Sequence, residues 1–298
     1  MVEEVRPRES SSPGPGRLAG LLPVVLVLWG FVAVYLLQLS IDRTAKGQLR
    51  ERVVQEMMYF PSGKFMRGAA VEYQHLAADV VWLRAIQYYG YHLMTDQKYE
   101  WLGHVFEILT ALDPQFTGAY HFGAMTLAWD ARKPHEALRL LTNGMMSNPF
   151  EWQLPFDAGF ICYMLLEDYE TAGTFFRIAS QLPDAWLIAS RWAAVSMAKG
   201  GDYETAREMW VEIYRGTENK ALRALVVRQL RRLKLDESLV RLQQALDAFR
   251  EDRGRPPAGL LELVHAGYID RIPDEPYGGR YFIENGTVQS STPPSQRQ

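Results

Sequence analysis

The rhythm of apolar and polar positions changes along the chain and marks out its organisation. Residues 1–17 are polar, with Pro7, Pro13 and Pro15 around Ser10, Ser11 and Ser12, a composition too poor in apolar side chains to order itself. From Leu18 to Ile41 no residue is charged. This run of about 24 residues predicts a helix of roughly 36 Å, enough to cross a bilayer with some tilt. A linker over 42–70 follows, with helical spacing up to residue 58 and a break at Pro61-Ser62-Gly63. Val71 to Met94 is strongly apolar again, but His75, Asp79 and Arg84 interrupt it, which predicts burial in protein rather than in lipid.

Beyond this point the text repeats. Asp168-Tyr169-Glu170-Thr171-Ala172 recurs as Asp202-Tyr203-Glu204-Thr205-Ala206, thirty-four residues later. An aromatic stands four residues after each alanine, Phe176 and Trp210, and therefore on the same helical face. The same ruler run backwards meets Ala137 and Leu102, giving four units. Each unit reads as a helix pair: first helices at 71–94, 116–130, 151–166 and 185–199, and second helices beginning near Leu102 and over 134–147, 169–181 and 202–215. Asp113-Pro114, Asn148-Pro149 and Pro183-Asp184 sit at the junctions, where proline opens a helix but cannot continue one. The acidic residues of the doubled phrase favour the start of a second helix.

The period of 34, the prolines and the small/aromatic pairs resemble the tetratricopeptide repeat (TPR) family, over about half the chain. The resemblance implies a fold class: mostly α, with an N-terminal transmembrane helix, a solenoid of about four helix pairs over 71–235, and a small C-terminal α+β module. It also implies a binding surface on the concave side. Counting from the small residue of each first helix puts Arg84, Gln87, Tyr91, Tyr120, Gln153, Phe156, Phe160, Tyr163 and Arg191 there. That set is aromatic and lightly basic. It lacks the Lys/Arg/Asn cluster with which members of the family clamp a terminal carboxylate, and it suits an extended or helical protein segment.

At 218–234 a basic amphipathic helix is expected to cap the stack, and a second helix to begin at Asp236 and run to Arg253. Tyr281–Glu284 and Thr287–Ser290 flank Asn285-Gly286, which predicts a β-hairpin. The segment 236–298 resembles the soluble part of the major pseudopilin of type II secretion systems, through Leu242 to Phe249, Asp252 to Pro257, Leu260 to Leu263 and Ile272 to Tyr281. It departs from that family in having no prepilin peptidase site, and it ends before the calcium-binding loop. Asp270 and Asp274 are the only calcium ligands the resemblance offers. Asn285-Gly286-Thr287 also matches a glycosylation sequon, which the turn explains without a glycan.

A net charge of −3 gives no field to attract nucleic acid. The single Cys162 excludes an intramolecular disulfide and reads as a small buried hydrophobe. His75 and Asp79 stand four apart on one helix but do not make up a metal site. There is no nucleophile–base pair, phosphate loop or HExxH, so no catalytic residue, metal or cofactor is expected, and the protein reads as a non-enzyme. The long apolar run without a small-x-small cleavage site argues for an uncleaved anchor rather than a signal peptide. Three positive charges precede it (Arg6, Arg8, Arg17) and four follow (Arg43, Lys46, Arg50, Arg52), so charge alone does not orient it. Analogy to proteins with such an anchor and tail places the bulk of the chain in the periplasm, on a single-pass inner-membrane protein. The expected role is a bacterial envelope scaffold that binds a protein or peptide partner. An accessory component of a type II secretion or type IV pilus apparatus, and a regulatory subunit of an envelope enzyme, are the alternatives.

Overall fold

A computed structural model describes residues 28–38, 67–68 and 71–296. It divides into two units, Met1–Phe60 and Pro61–Gln298. In the first, residues 28–38 are helical, with Trp29, Phe31, Tyr35 and Leu37 exposed. The whole predicted tail (1–17), the linker (42–70) apart from 67–68, and the flanks of the predicted span (18–27 and 39–41) lie outside the described residues. Among the described residues no helix is long and apolar enough to cross a membrane.

The second unit is mostly helical and closes with a two-stranded antiparallel sheet. Its helices are α1 (Gln74–Leu93), α2 (Leu102–Leu112), α3 (Thr117–Met125), α4 (Pro134–Ser147), α5 (Gln153–Ile161), α6 (Tyr169–Gln181), α7 (Leu187–Lys199), α8 (Tyr203–Gly216), α9 (Lys220–Arg253) and α10 (Leu260–His265). Each helix from α1 to α9 packs on its neighbour in sequence, and α2 also meets α4 while α3 meets α5. The helices expected from the repeat are therefore present, but α1 starts three residues later than expected, after a 3-10 turn at Val71–Tyr73, and α3 and α5 end five residues early, before Thr126–Asp130 and Cys162–Leu166.

The turns show why the period is regular. Between the two helices of successive pairs stands one residue in the left-handed region: Gln97, Arg132, Glu167 and Gly201, at φ of 54°, 55°, 53° and 93°. The residue after the last two is an N-cap: Asp168 accepts the Thr171 N–H at 3.1 Å, and Asp202 accepts the Thr205 N–H at 3.0 Å. That satisfies one of the amide groups a helix start leaves unpaired. The doubled phrase is structural. A second recurring feature is absent from the sequence reading: Phe116, Trp152 and Trp186 stand at the entry to α3, α5 and α7, and Trp82 lies within α1. Trp82 and Phe116 lie 5.2 Å apart between ring centroids, and Trp152 and Trp186 5.8 Å.

Close approach explains the small residues. A Cβ on Gly159 would lie 2.9 Å from the Phe176 ring, and one on Gly123 2.7 Å from the Phe106 ring. In each case the aromatic four residues after a second-helix anchor fills the space a side chain would need.

The expected break before Asp236 does not exist. α9 runs unbroken for 34 residues, about 51 Å at 1.5 Å per residue. The reason is local: no Gly or Pro occurs between Lys220 and Arg253, and the segment is rich in strong helix formers. Asn219 caps it, and Gly254, at φ 65°, ends it before Pro256-Pro257. Asp236 is not a cap; its carboxylate lies 3.8 Å from Arg232 one turn back. The change of module is instead a change of face. Val226 and Leu233 join the core formed with Ala206, Trp210 and Ile213. Leu235, Leu242, Leu246 and Phe249 join Leu260, Leu263, Ile269, Tyr281 and Val288. Leu233 and Leu235 are two residues apart, roughly 200° around a helix, so opposite sides of one rod serve two cores.

The C-terminal core packs α9 and α10 against β1 (Tyr281–Glu284) and β2 (Thr287–Ser290), paired Tyr281 with Ser290 and Glu284 with Thr287. The Asn285-Gly286 turn has both residues at positive φ, 50° and 79°, as such a two-residue hairpin requires. Glu275 ties the preceding loop to β2: its carboxylate accepts the Tyr277 and Gly279 N–H groups and the Ser290 hydroxyl.

Candidate partner-binding face

The first helices of the second and third pairs do not end as α-helices. Each finishes in a five-residue π-helical turn, Thr126–Asp130 after α3 and Cys162–Leu166 after α5. A π turn inserts a residue and re-aims the side chains around it. Two rings ride on these turns, Trp129 and Tyr163.

Together with α7 they form a row. Trp129 stacks on Phe160 at 5.7 Å, Phe160 meets Trp192 edge-on at 5.9 Å, and Trp192 meets Tyr163 at 5.1 Å. Tyr163 leans on Tyr169 at 5.2 Å, and the Lys199 ammonium lies 4.1 Å from the Tyr169 centroid and 4.8 Å from that of Tyr163. Phe156 belongs to the same group through Phe176, which stacks on Trp192. Trp129 keeps 37% of its surface exposed, and Phe160, Tyr163 and Trp192 are half-buried. Such a row offers flat apolar area with polar edges.

Of the residues predicted for the groove, Phe156, Phe160 and Tyr163 are brought together here. Tyr120 is not available: it is 2% exposed, and its ring lies where a Cβ on Gly144 would stand. The spacing rule could not separate it from Tyr163 because both are tyrosines near a repeat glycine. Gln153 and Gln87 are exposed, and Arg84 and Tyr91 are half-buried on α1. Tyr91 belongs to another ring cluster, with His92. Arg191 is half-buried and its Nε has no hydrogen-bond partner.

The sequence reading missed Trp129, Trp192 and Lys199. It also missed the pair His121 and Asp157, whose Nδ1 and Oδ2 lie 2.5 Å apart between α3 and α5. His121 and Asp157 each stand two residues before a small first-helix residue, Gly123 or Gly159, the same offset at which the predicted Arg191 precedes Ala193. The His75/Asp79 pair does not form: His75 Nδ1 lies 3.0 Å from Asp113 instead.

The charges along the row differ at its ends. Beside Trp129, Asp130 accepts the Tyr89 hydroxyl at 3.0 Å. Burial, then that carboxylate, pushes the Tyr89 phenol up to about 12. At the other end hydrogen bonding to Tyr169 raises the Lys199 pKa, so the ammonium is kept charged. Cys162, beneath the row, is 1% exposed, and burial followed by the nearby Asp168 pushes its thiol up to about 11. A thiol in that state is no nucleophile at neutral pH. Among the described residues no cluster of three or more His, Cys, Asp or Glu side chains stands ready for a metal. The arrangement can hold apolar and aromatic groups and orient a charge.

Compared with known proteins, the chain matches no family model, no curated protein and no solved structure.

Proposed function

We propose that this chain is a TPR-type scaffold, anchored in the inner membrane by residues 18–41 with the bulk of the chain in the periplasm, that binds a segment of a partner protein in bacterial envelope assembly. The observation that carries the reading is the half-exposed row Trp129, Phe160, Trp192 and Tyr163, held by three successive first helices. Aromatic side chains dominate binding hot spots because they bury large area at low conformational cost. Four left-handed turn residues at spacings of 35, 35 and 34 support the TPR reading, as do the contacts of α2 with α4 and of α3 with α5.

The test is recovery of one partner from detergent-solubilised membranes by the full chain and by the variant Trp129→Ala/Phe160→Ala/Tyr163→Ala. The partner is expected to bind the variant at least roughly tenfold more weakly, since single hot-spot aromatics contribute about 2 kcal/mol or more. A variant that keeps the helical circular dichroism of the parent and recovers the same partner equally well refutes the reading.

A second reading, an accessory component of a type II secretion or type IV pilus apparatus, draws on the separate C-terminal core. Deleting 254–298, which spares α9, should then abolish secretion or piliation. Survival of both removes it.

A further inference from the structure

Beyond Tyr163 the aromatic row opens into a cavity of about 540 Å³ between the end of α5, α7, α8 and α9. Tyr163, Lys199, Tyr203, Gln229, Arg232 and Asp236 line it, with Trp210 and Leu233 among its apolar walls. The volume falls in the range of ligand sites. We propose that this cavity receives an acidic side chain of the segment lying along the row, so that the partner is an apolar or aromatic peptide bearing carboxylates at the Lys199 end.

The inference rests on the docking reading above and adds the chemistry of the partner. Continuity is the first argument: Tyr163 belongs both to the row and to the cavity wall. Charge is the second. Lys199 and Arg232 against Asp236 leave one net positive charge in the lining. Asp236 lies 3.8 Å from Arg232, whereas Lys199 has no carboxylate within 4 Å among the described residues. Preorganisation is the third. The Lys199 ammonium is held over the Tyr163 and Tyr169 rings, so less rotamer freedom remains to be lost when a carboxylate arrives.

The experiment uses the full chain in nanodiscs and two fluorescein-labelled, amidated peptides. One alternates leucine, serine and phenylalanine and ends in two glutamates; the other carries glutamines in their place. Fluorescence anisotropy is expected to show the glutamate peptide binding roughly tenfold more tightly, with the preference shrinking in high salt. Lys199→Met should erase the preference while leaving the glutamine peptide unaffected, and Trp129→Ala should weaken both peptides alike. Equal affinities for the two peptides, or a preference that survives the double variant Lys199→Met/Arg232→Gln, overturns the acidic-segment proposal and leaves the row intact as a docking face. If neither peptide binds, the docking reading fails and this proposal fails with it.

Discussion

The ring of Tyr120 occupies the space that a side chain on Gly144 would need, with a Cβ there only 2.8 Å from the ring. The ring is itself buried between α3 and α4, so it has nowhere to move. Gly144→Ala is therefore expected to destabilise by about 1–3 kcal/mol, the usual range for overpacking. Gly216→Ala, at the end of α8 with nothing within 4 Å of the new Cβ, serves as the control. It should be neutral or stabilising by up to about 1 kcal/mol. Thermal unfolding of the two variants decides; equal melting temperatures would mean the Tyr120 packing is not tight.

Glu167 holds a left-handed conformation, φ 53°, between the π turn and the cap residue Asp168. A side chain there costs free energy that glycine avoids. Glu167→Gly should raise the unfolding midpoint by an amount equivalent to about 0.5–1 kcal/mol, the opposite of the usual effect of glycine in a helix. Gly201→Ala at the corresponding turn, φ 93°, should lower it. Urea titrations of both variants test the pair, and a loss of stability in Glu167→Gly would count against the turn geometry.

Glu275 links stability to pH. Burial raises its pKa, but hydrogen bonds from Gly279, Thr292, Ser290 and Tyr277 outweigh that, leaving the carboxyl below the usual carboxylate range. A group whose pKa is depressed on folding stabilises above its unfolded pKa, and the contribution is lost as pH falls through the folded value. Glu275→Gln should cost about 1–3 kcal/mol at neutral pH, because the amide removes the charge and one of the two oxygens that accept from the Tyr277 and Gly279 N–H groups and the Ser290 hydroxyl. Its deficit relative to the parent should shrink in acid. Denaturant unfolding across a pH series measures this, and a deficit independent of pH would show that the charge plays no part.

Cys162 should report on opening of the third helix pair. Its buried thiol, with a pKa pushed up to about 11, is expected to ignore a disulfide reagent in the native protein near neutral pH and to react fully once guanidinium unfolds it. Fast labelling of the folded chain would show that α5 and α6 separate readily.

Much of the helical arrangement was legible in the sequence because it is set by short-range chemistry. The acidic starts of the second helices at Asp168 and Asp202, the prolines at the junctions and the Asn285-Gly286 turn each act over a few residues, so a ruler along the chain finds them. The predicted anchor at 18–41 rests on sequence alone. The tertiary structure decided what the ruler could not. The π turns change the direction of Trp129 and Tyr163, the Gly144 contact draws Tyr120 inward, and Asp113 takes His75 away from Asp79. α9 runs through Asp236 for a local reason, the absence of Gly and Pro, but which core each of its sides joins is decided by packing. Periodicity gives each side chain a position along a helix. Which tyrosine is buried and which stays open to a partner depends on what the neighbouring helices place against it.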